Sequence, residues 1–499
     1  MKKKNIKIPK PDILMDRLKE SEQEKYREFL DDINLHLQLP KKQKALLIND
    51  FNNALDYYLK NDIPFEEAIN RLSPKQLGGF YAHPAGSWYP LDNAAIIYPL
   101  SMKFGQMPMF RMSAYLKEDV VPEILQMALD FTIKRFPSFA TILKNGFFWH
   151  YLDSTKKRFT IEEEKILPLL PISSSRAQSF RVLHYKNRIS IEYFHVLTDG
   201  FGGSIFLNTL IGEYLRLLGH DIPCGEFLWD IDATPHEDEL SNEFAKAKLQ
   251  KGASGFMGKT ATQMSGKVSA IFPCRVVHFE MNSKQLHEVA KRHNATVTVY
   301  LLAQMFLAQK YATEDLSGDI RVQVPVNMRK YNGSKTIRNY AMYFSCDLPT
   351  SEIKGSADDL IPNISEQVRE KSSEKDMNKM MSTTIKLVQS LKFVPLLIKK
   401  PVATVVYGFL GDKIFSNYLS NLGVIKVPKE MNEYVEKYDF ILGPSNVCRA
   451  SCGLITFNDK SVFSITKTTV DPSYEEKLYE LLTADGIDIE VTGSAVYGD

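Results

Sequence analysis

The stretch RISIEYFHVLTDGFGGS, Arg188 to Ser204, constrains the fold of this chain more than any other. Its first half alternates apolar and polar residues, the pattern of a strand. An apolar helical run, SIFLNTLIGEYLRLLG, starts at Ser204 and stops at Gly219, the glycine a helix C-terminus favours. Asp199, Gly200, Gly202 and Gly203 lie between the two. By strand parity Ile189, Ile191, Tyr193 and His195 share one face, and Ser190, Glu192 and Phe194 share the other. His195 is therefore expected to point inward. A lone buried histidine is ordinarily a satisfied core group, but a strand, a glycine turn and a helix in succession can also hold a reactive side chain or a phosphate. The dinucleotide fingerprint fails, because its third glycine would fall on Ile205. No G-x-S-x-G elbow occurs, which argues against a serine hydrolase of the common α/β type.

With 499 residues the chain exceeds one ordinary core, so two large lobes are expected. Hydrophobic residues make up 44% and charged residues 24%, a globular balance that argues against disorder and against a membrane channel. The formal charge of +2, with no basic stripe carrying interleaved aromatics, points away from nucleic acid. Five cysteines, Cys224, Cys274, Cys346, Cys448 and Cys452, are too few for a disulfide framework and suit a reducing cytoplasm. The basic start MKKKNIKIPK lacks an apolar segment behind it, so no signal peptide is expected. The run FVPLLIKKPVATVVYGFL, from Phe393, is broken by two lysines and two prolines and falls short of the roughly 20 apolar residues of a span. It reads as buried helix and connection, with a lipid-facing role as the minor alternative. Cys448 and Cys452 are four apart with no second ligand pair nearby, so no metal site is expected. Met377, Met380 and Met381 read as core or tunnel wall.

Residues 1–85 carry helical stripes, Tyr26-Phe29-Leu30-Ile33-Leu37 and Leu47-Phe51-Ala54-Leu55-Tyr58. They predict a small helical bundle that clasps the main body or docks a partner. Mixed α/β texture follows over 86–221. The strands read there are MFRMSAYL, FFWHYL, RVLHYK and RISIEYFH, and PEILQMALDFTIKRFP is a helix ended by Pro137. A polar connection covers 222–270 and a second lobe 271–499. That lobe opens with the strand CRVVHFEM and a helix capped by Asn282 or Ser283. A helix apolar nearly all round, TVTVYLLAQMFLAQKYA, comes next. IRVQVPVNMR, AMYFSCDLP, GVIKVP, VCRASCGLITF, SVFSITKTT and DIEVTG read as strands, and SYEEKLYELLTADG as a helix.

HVLTDG resembles the H-x-x-x-D-G motif of the acyltransferase superfamily that includes chloramphenicol acetyltransferase, alcohol acetyltransferases and peptide-synthetase condensation domains. KRFPSF, VPVNMRKYNGSKTIRNY and YLSNLGVIKVP resemble other segments of that family, in its order, over roughly 88–499. WYPLDNAAIIYP makes bacterial alcohol-acetyltransferase-like proteins the best resemblance. Phe194 stands where condensation domains usually have a second histidine, and the plant D-F-G-W-G motif is absent. The resemblance implies an α/β fold of two chloramphenicol-acetyltransferase-like lobes with a tunnel between them. It also implies direct acyl transfer from acyl-CoA, a co-substrate rather than a bound cofactor, to a small alcohol or amine.

Such transfer needs a base to take the acceptor's proton, and a neutral imidazole suits that role. His195 is the candidate. Asp199 is tempting as a triad member, but the resemblance implies an ion pair that fixes the loop, with Arg135 as the best-matched partner and Arg329 and Arg338 as rivals. Gly200 is expected to supply a conformation or close approach that a side chain would block. Oxyanion donors are sought among the N–H groups of the glycine turn and in Ser420 and Asn421, which equally suit a local cap. Arg329 and Asn339 are candidates for lining the channel or binding CoA phosphates, with a structural ion pair equally open for Arg329. The expected function is an acyl-CoA-dependent O-acyltransferase, acetylating an alcohol, working as a cytoplasmic monomer. A carrier-protein thioester donor supplied in trans and a non-catalytic binding descendant are the alternatives.

Overall fold

The computed structural model describes residues 14–81, 88–101, 108–164, 178–250, 260–269, 275–399, 401, 414–444 and 448–494. The start of the chain, Cys274 and most of the apolar run beyond Lys399 lie outside these residues. Three helices, Glu20–His36, Lys41–Lys60 and Phe65–Arg71, come first. Their stripes are buried, with Tyr26, Phe29 and Ile33 on the first and Leu47, Phe51, Ala54, Leu55 and Tyr58 on the second. The apolar residues of this bundle form one continuous core with the first lobe. The Tyr58 hydroxyl donates to the Leu217 carbonyl at 2.7 Å, and Arg158 grips Asp50 through two nitrogens.

The strands, in chain order, are β1 (Trp88–Pro90), β2 (Met109–Leu116), β3 (Thr141–Asn145), β4 (His150–Ser154), β5 (Ile161–Glu163), β6 (Phe180–Tyr185) and β7 (Arg188–Phe194). They continue with β8 (Arg275–Asn282), β9 (Asp319–Asn327), β10 (Ala341–Pro349), β11 (Asn417–Val424), β12 (Val435–Leu442), β13 (Ala450–Phe457), β14 (Lys460–Lys467) and β15 (Ile489–Gly493). The first lobe holds a five-stranded sheet, β12-β2-β7-β6-β5, and a small β1-β4-β3 sheet. The second holds a seven-stranded sheet, β10-β9-β11-β13-β14-β8-β15, in which β11 runs parallel to both neighbours.

A division by sequence at residue 271 would leave β12 in the second lobe. The strand instead pairs antiparallel with β2 along Val435–Leu442 and forms the edge of the first sheet. It also lies against the second sheet. A Cβ on Gly453 of β13 would stand 2.5 Å from the Phe440 carbonyl oxygen, so only glycine permits that approach.

β7 sits at the middle of the first sheet, and every one of its residues is buried. Strand parity therefore does not separate an inner from an outer face here. Glu192, on the face opposite the apolar residues, is fully buried and held by Arg111 and Arg181. His195 is not on the strand at all: β7 ends at Phe194, and His195 opens the turn that follows. The next helix runs from Gly200 to Leu217, starting earlier than its apolar pattern because Asp199 caps it. Gly219, with φ of 101°, ends it as expected. Asn282, rather than Ser283, caps the helix Ser283–Arg292 by accepting from the N–H groups of Lys284 and Gln285. Phe147 to Trp149 form a hairpin tip rather than the start of a strand, and the strand expected at GVIKVP ends at Val424. Met377 and Met381 are buried in the core of the second lobe.

Candidate active site

The turn after β7 is built from both lobes. On the first-lobe side, the His195 N–H donates to the Pro108 carbonyl at 2.8 Å. The imidazole lies between the ring of Tyr98, 5.0 Å between centroids, and that of Phe110 at 5.1 Å. From the second lobe, the segment Thr336–Tyr340 closes over the turn. The Thr198 hydroxyl donates to the Ile337 carbonyl at 2.6 Å, and Asp199 Oδ2 accepts from the Tyr340 N–H at 2.8 Å.

Asp199 turns its carboxylate away from the histidine. Oδ1 accepts from the Gly202 N–H at 3.2 Å, and Oδ2 pairs with Arg329 Nη1 at 2.8 Å. Both partners are buried, so removing either would leave a charge without compensation. The remaining guanidinium contacts of Arg329 are spent on the carbonyls of Thr336 and Arg338 and on Asn327 Oδ1. Arg329 therefore lines the cavity as the loop's structural counter-ion, with little donor capacity left for a phosphate.

Arg135, the partner expected for Asp199, is elsewhere. It forms a bidentate pair with Glu239, both contacts 2.7 Å, and lies 4.3 Å from the Trp229 ring centre. The reason is its position at the end of a 3-10 turn that faces the inter-lobe connection, where Glu239 resides. It supports the site at one remove: the Glu239 carbonyl accepts from the Ile337 N–H, whose own carbonyl takes the Thr198 hydroxyl. Arg338 reaches the Pro90 carbonyl and lies 3.8 Å from Asp92.

Asn339 is the residue that holds the imidazole. Its Oδ1 lies 2.7 Å from His195 Nδ1, while its Nδ2 donates to the His195 carbonyl at 2.8 Å and approaches Asp92 Oδ2 at 3.4 Å. Two acceptors thus fix which end of the amide is NH₂, and the oxygen must face the ring. Nδ1 then carries the proton, and Nε2 is left as the basic nitrogen. Asn339 is buried and is not among the residues that line the cavity, so it departs from the expected place in the channel. Beneath it, burial pushes the Asp92 carboxyl up, partly offset by the Arg338 charge. Asp92 Oδ1 also accepts from the Ala95 N–H at 2.7 Å.

Sequence reasoning missed Asp92 and Tyr98 as parts of this constellation. Both lie in WYPLDNAAIIYP, whose buried aspartate amid apolar residues is the signal that could have marked it.

Gly202 is the glycine the turn cannot replace. A Cβ there would meet the Ile337 carbonyl oxygen at 2.1 Å and the Thr198 hydroxyl at 2.3 Å. At Gly200, the glycine expected to be critical, the nearest atom is a methyl of Leu422 at 2.5 Å, the end of a side chain that can rotate away.

A cavity of about 320 Å³ lies between the lobes. His195, half-buried, lines it together with Tyr98, Phe110 and Phe201 of the first lobe and Gln323, Tyr418, Ser420 and Asn421 of the second. Ser420 and Asn421 sit where β11 breaks its register with β13, a bulge that ends at Gly423 with φ of 72°. The Asn421 amide serves that bulge, accepting from the Gly423 N–H at 2.8 Å and donating to Thr298 at 3.0 Å. Exposed Lys426 borders the same cavity. Among the described residues no cluster of three or more His, Cys, Asp or Glu side chains could hold a metal ion, and no helix is long and apolar enough to cross a membrane.

No protein-family profile and no curated protein sequence matches the chain. Solved structures do match. TRI101 of Fusarium graminearum, solved with coenzyme A and deoxynivalenol, aligns with a TM-score of 0.56 at 11% identity, over 80% of this chain and 98% of that one. A trichothecene 15-O-acetyltransferase of Fusarium sporotrichioides aligns at 0.53 and 12% identity, over 80% of this chain and 94% of that one. The starter condensation domain of rhizomide synthetase, solved with C8-CoA and Leu-SNAC, aligns at 0.51 and 11%, over 81% and 97% respectively. The chain therefore has the two-lobed α/β fold of chloramphenicol-acetyltransferase-like and condensation-domain proteins.

Proposed function

We propose that this protein is an acyltransferase that moves an acyl group, an acetyl group in the first instance, from an acyl-CoA thioester to a small alcohol. The observation that carries the reading is His195, tied through Nδ1 to Asn339 and opening on the cavity between the lobes. The fold it shares with acetyltransferases and a condensation domain supports the same reaction class.

In this reading Nε2 of His195 takes the proton of the acceptor hydroxyl as its oxygen attacks the thioester carbonyl carbon. Such proton transfer contributes roughly 10²–10⁴-fold. A tetrahedral oxyanion forms, and Ser420 and the N–H groups of Gly200 and Phe201, at the start of the helix Gly200–Leu217, are the candidate donors toward it. The C–S bond then breaks. The CoA thiolate leaves and recovers a proton from the imidazolium, so ester and thiol are released and the histidine is neutral again. Asp199 and Arg329 hold the turn and take no part in proton transfer.

The test is thiol release from acetyl-CoA with a panel of alcohols and amines. His195→Ala is expected to lose release by about 10³-fold or more while the melting temperature stays near that of the unmodified protein. Turnover by that variant at the unmodified rate overturns the assignment. Activity with a pantetheine-carrier thioester, where every free acyl-CoA fails, moves the donor to a carrier protein.

A further inference from the structure

The surface carries one group of large apolar side chains that the acyltransferase reading does not use. The β3–β4 hairpin tip presents Phe147, 72% exposed, and Phe148. Beside it lies the segment 391–399, with Phe393 at 78% and Leu397 at 88% exposed, and Ile398 also exposed. The two pieces form one patch. The Leu396 N–H donates to the Phe147 carbonyl at 2.8 Å, and the rings of Phe148 and Phe393 meet edge to face at 6.3 Å. Lys399 locks them together from below, donating to the Phe148 carbonyl at 2.9 Å and lying over the Trp149 ring. A contiguous exposed apolar group of this kind is unusual on a folded protein and marks a contact surface.

Charge indicates what it contacts. From Met377 to Gly411 the sequence has no aspartate or glutamate and five lysines. Lys392 is exposed at the edge of the patch, 5.5 Å from the Phe393 ring centre, and Lys386, earlier in the same stretch, is exposed and donates to the Gln250 carbonyl. Neither forms an ion pair among the described residues. Protruding Phe, Leu and Ile, with exposed Lys392 at their edge and a flanking stretch that carries lysines and no carboxylate, match a bilayer surface with anionic headgroups: the apolar groups enter the acyl boundary and the lysines meet the phosphates.

We propose that the patch formed by Phe147, Phe148, Phe393, Leu397 and Ile398 docks the protein on an anionic lipid surface, independently of what the cavity catalyses. The test is co-sedimentation of the full chain with vesicles of phosphatidylcholine alone and of phosphatidylcholine mixed with phosphatidylglycerol. The protein is expected to pellet with the mixed vesicles, to pellet weakly with the neutral ones, and to be released by high salt. Phe393→Asp and Leu397→Asp, both at exposed sites, are expected to cut binding about tenfold or more with unchanged melting temperatures. Leu35→Asp, at a site 77% exposed on the N-terminal bundle, is expected to bind as the unmodified protein does. A protein that stays in the supernatant with both vesicle types overturns the proposal. So does equal loss in the Leu35 control, or a lipid-independent dimer that Leu397→Asp converts to monomer, which would give the patch to a second copy of the chain.

Discussion

At the scale of single residues, the group facing His195 is an amide and not a carboxylate. A neighbouring carboxylate favours the charged form of a histidine, whereas an amide orients the ring without adding charge. Asn339→Ala is expected to lower kcat about 10–100-fold with KM little changed, because the ring loses its fixed tautomer while the cavity wall stays intact. Asn339→Asp is expected to move the acid limb of the rate profile to higher pH, since the new charge holds the proton on the ring. Steady-state kinetics across pH check both. The position of His195 beside a glycine turn was legible in the sequence because that turn chemistry is local. The sequence offers Asn339 only for lining the channel or binding CoA phosphates, since its partner lies 144 positions away and nothing local to it speaks of histidine. The choice of Arg329 over Arg135 was hidden for the same reason. It depends on Glu239 occupying Arg135, a contact between two segments about 100 positions apart.

At the scale of elements, the start of the helix Gly200–Leu217 does three things with few atoms. Asp199 caps it, Arg329 neutralises the cap, and Gly202 lets the Ile337 carbonyl press on its first turn. Gly202→Ala is expected to cost about 3 kcal/mol or more, since the added methyl would meet backbone that is itself pinned by Glu239. Gly200→Ala, against a rotatable leucine, is expected to cost well under half of that. Denaturant unfolding of the two variants distinguishes them, and equal losses would contradict the difference drawn here. Most helices were legible from an apolar stripe or an apolar run long enough for a helix, whereas Ala357–Lys371 and Glu374–Ser390 were not read. β12 was not read at all. Its sequence VEKYDFIL mixes charge with apolar residues, and the buried Asp439 among them is met by the Tyr115 hydroxyl of the neighbouring strand, 2.8 Å away, and by the Arg188 charge. The glycine at 202 carries a demand that no local pattern displays, because the atom it must avoid belongs to the other lobe.

At the scale of the whole molecule, the contact of the N-terminal bundle with the first lobe includes two facing acids. Asp130, fully buried on the helix Pro122–Thr132, faces Asp50 of the helix Lys41–Lys60. Burial, and then the Asp50 charge, push the Asp130 carboxyl well above the usual carboxylate range. The folded protein thus keeps a proton that the unfolded chain gives up above about pH 3.9. This contribution to stability is complete below that pH and is lost as pH rises through the folded pKa. Asp130→Asn keeps the shape, cannot ionise and can donate to Asp50. It is expected to raise stability by about 1 kcal/mol at neutral pH and to flatten the decline that accompanies rising pH. Thermal denaturation of both proteins across pH provides the measurement. The two-lobed architecture was legible through length and segment order, but the exchange of β12 between lobes was not, because the sequence has no marker for a strand that leaves its own half of the chain.

That exchange bears on how the protein is made. β2 lies between β7 and β12, so until β12 exists β2 is an open edge with a row of unpaired amide and carbonyl groups. About 240 residues separate the end of β7 from the start of β12, which a ribosome adding ~5–20 residues per second needs roughly 12–50 s to synthesise. The first lobe therefore cannot be finished while the second is being translated. For that interval the nascent chain exposes a sticky strand, and the same strand that completes the sheet is the one that ends the wait.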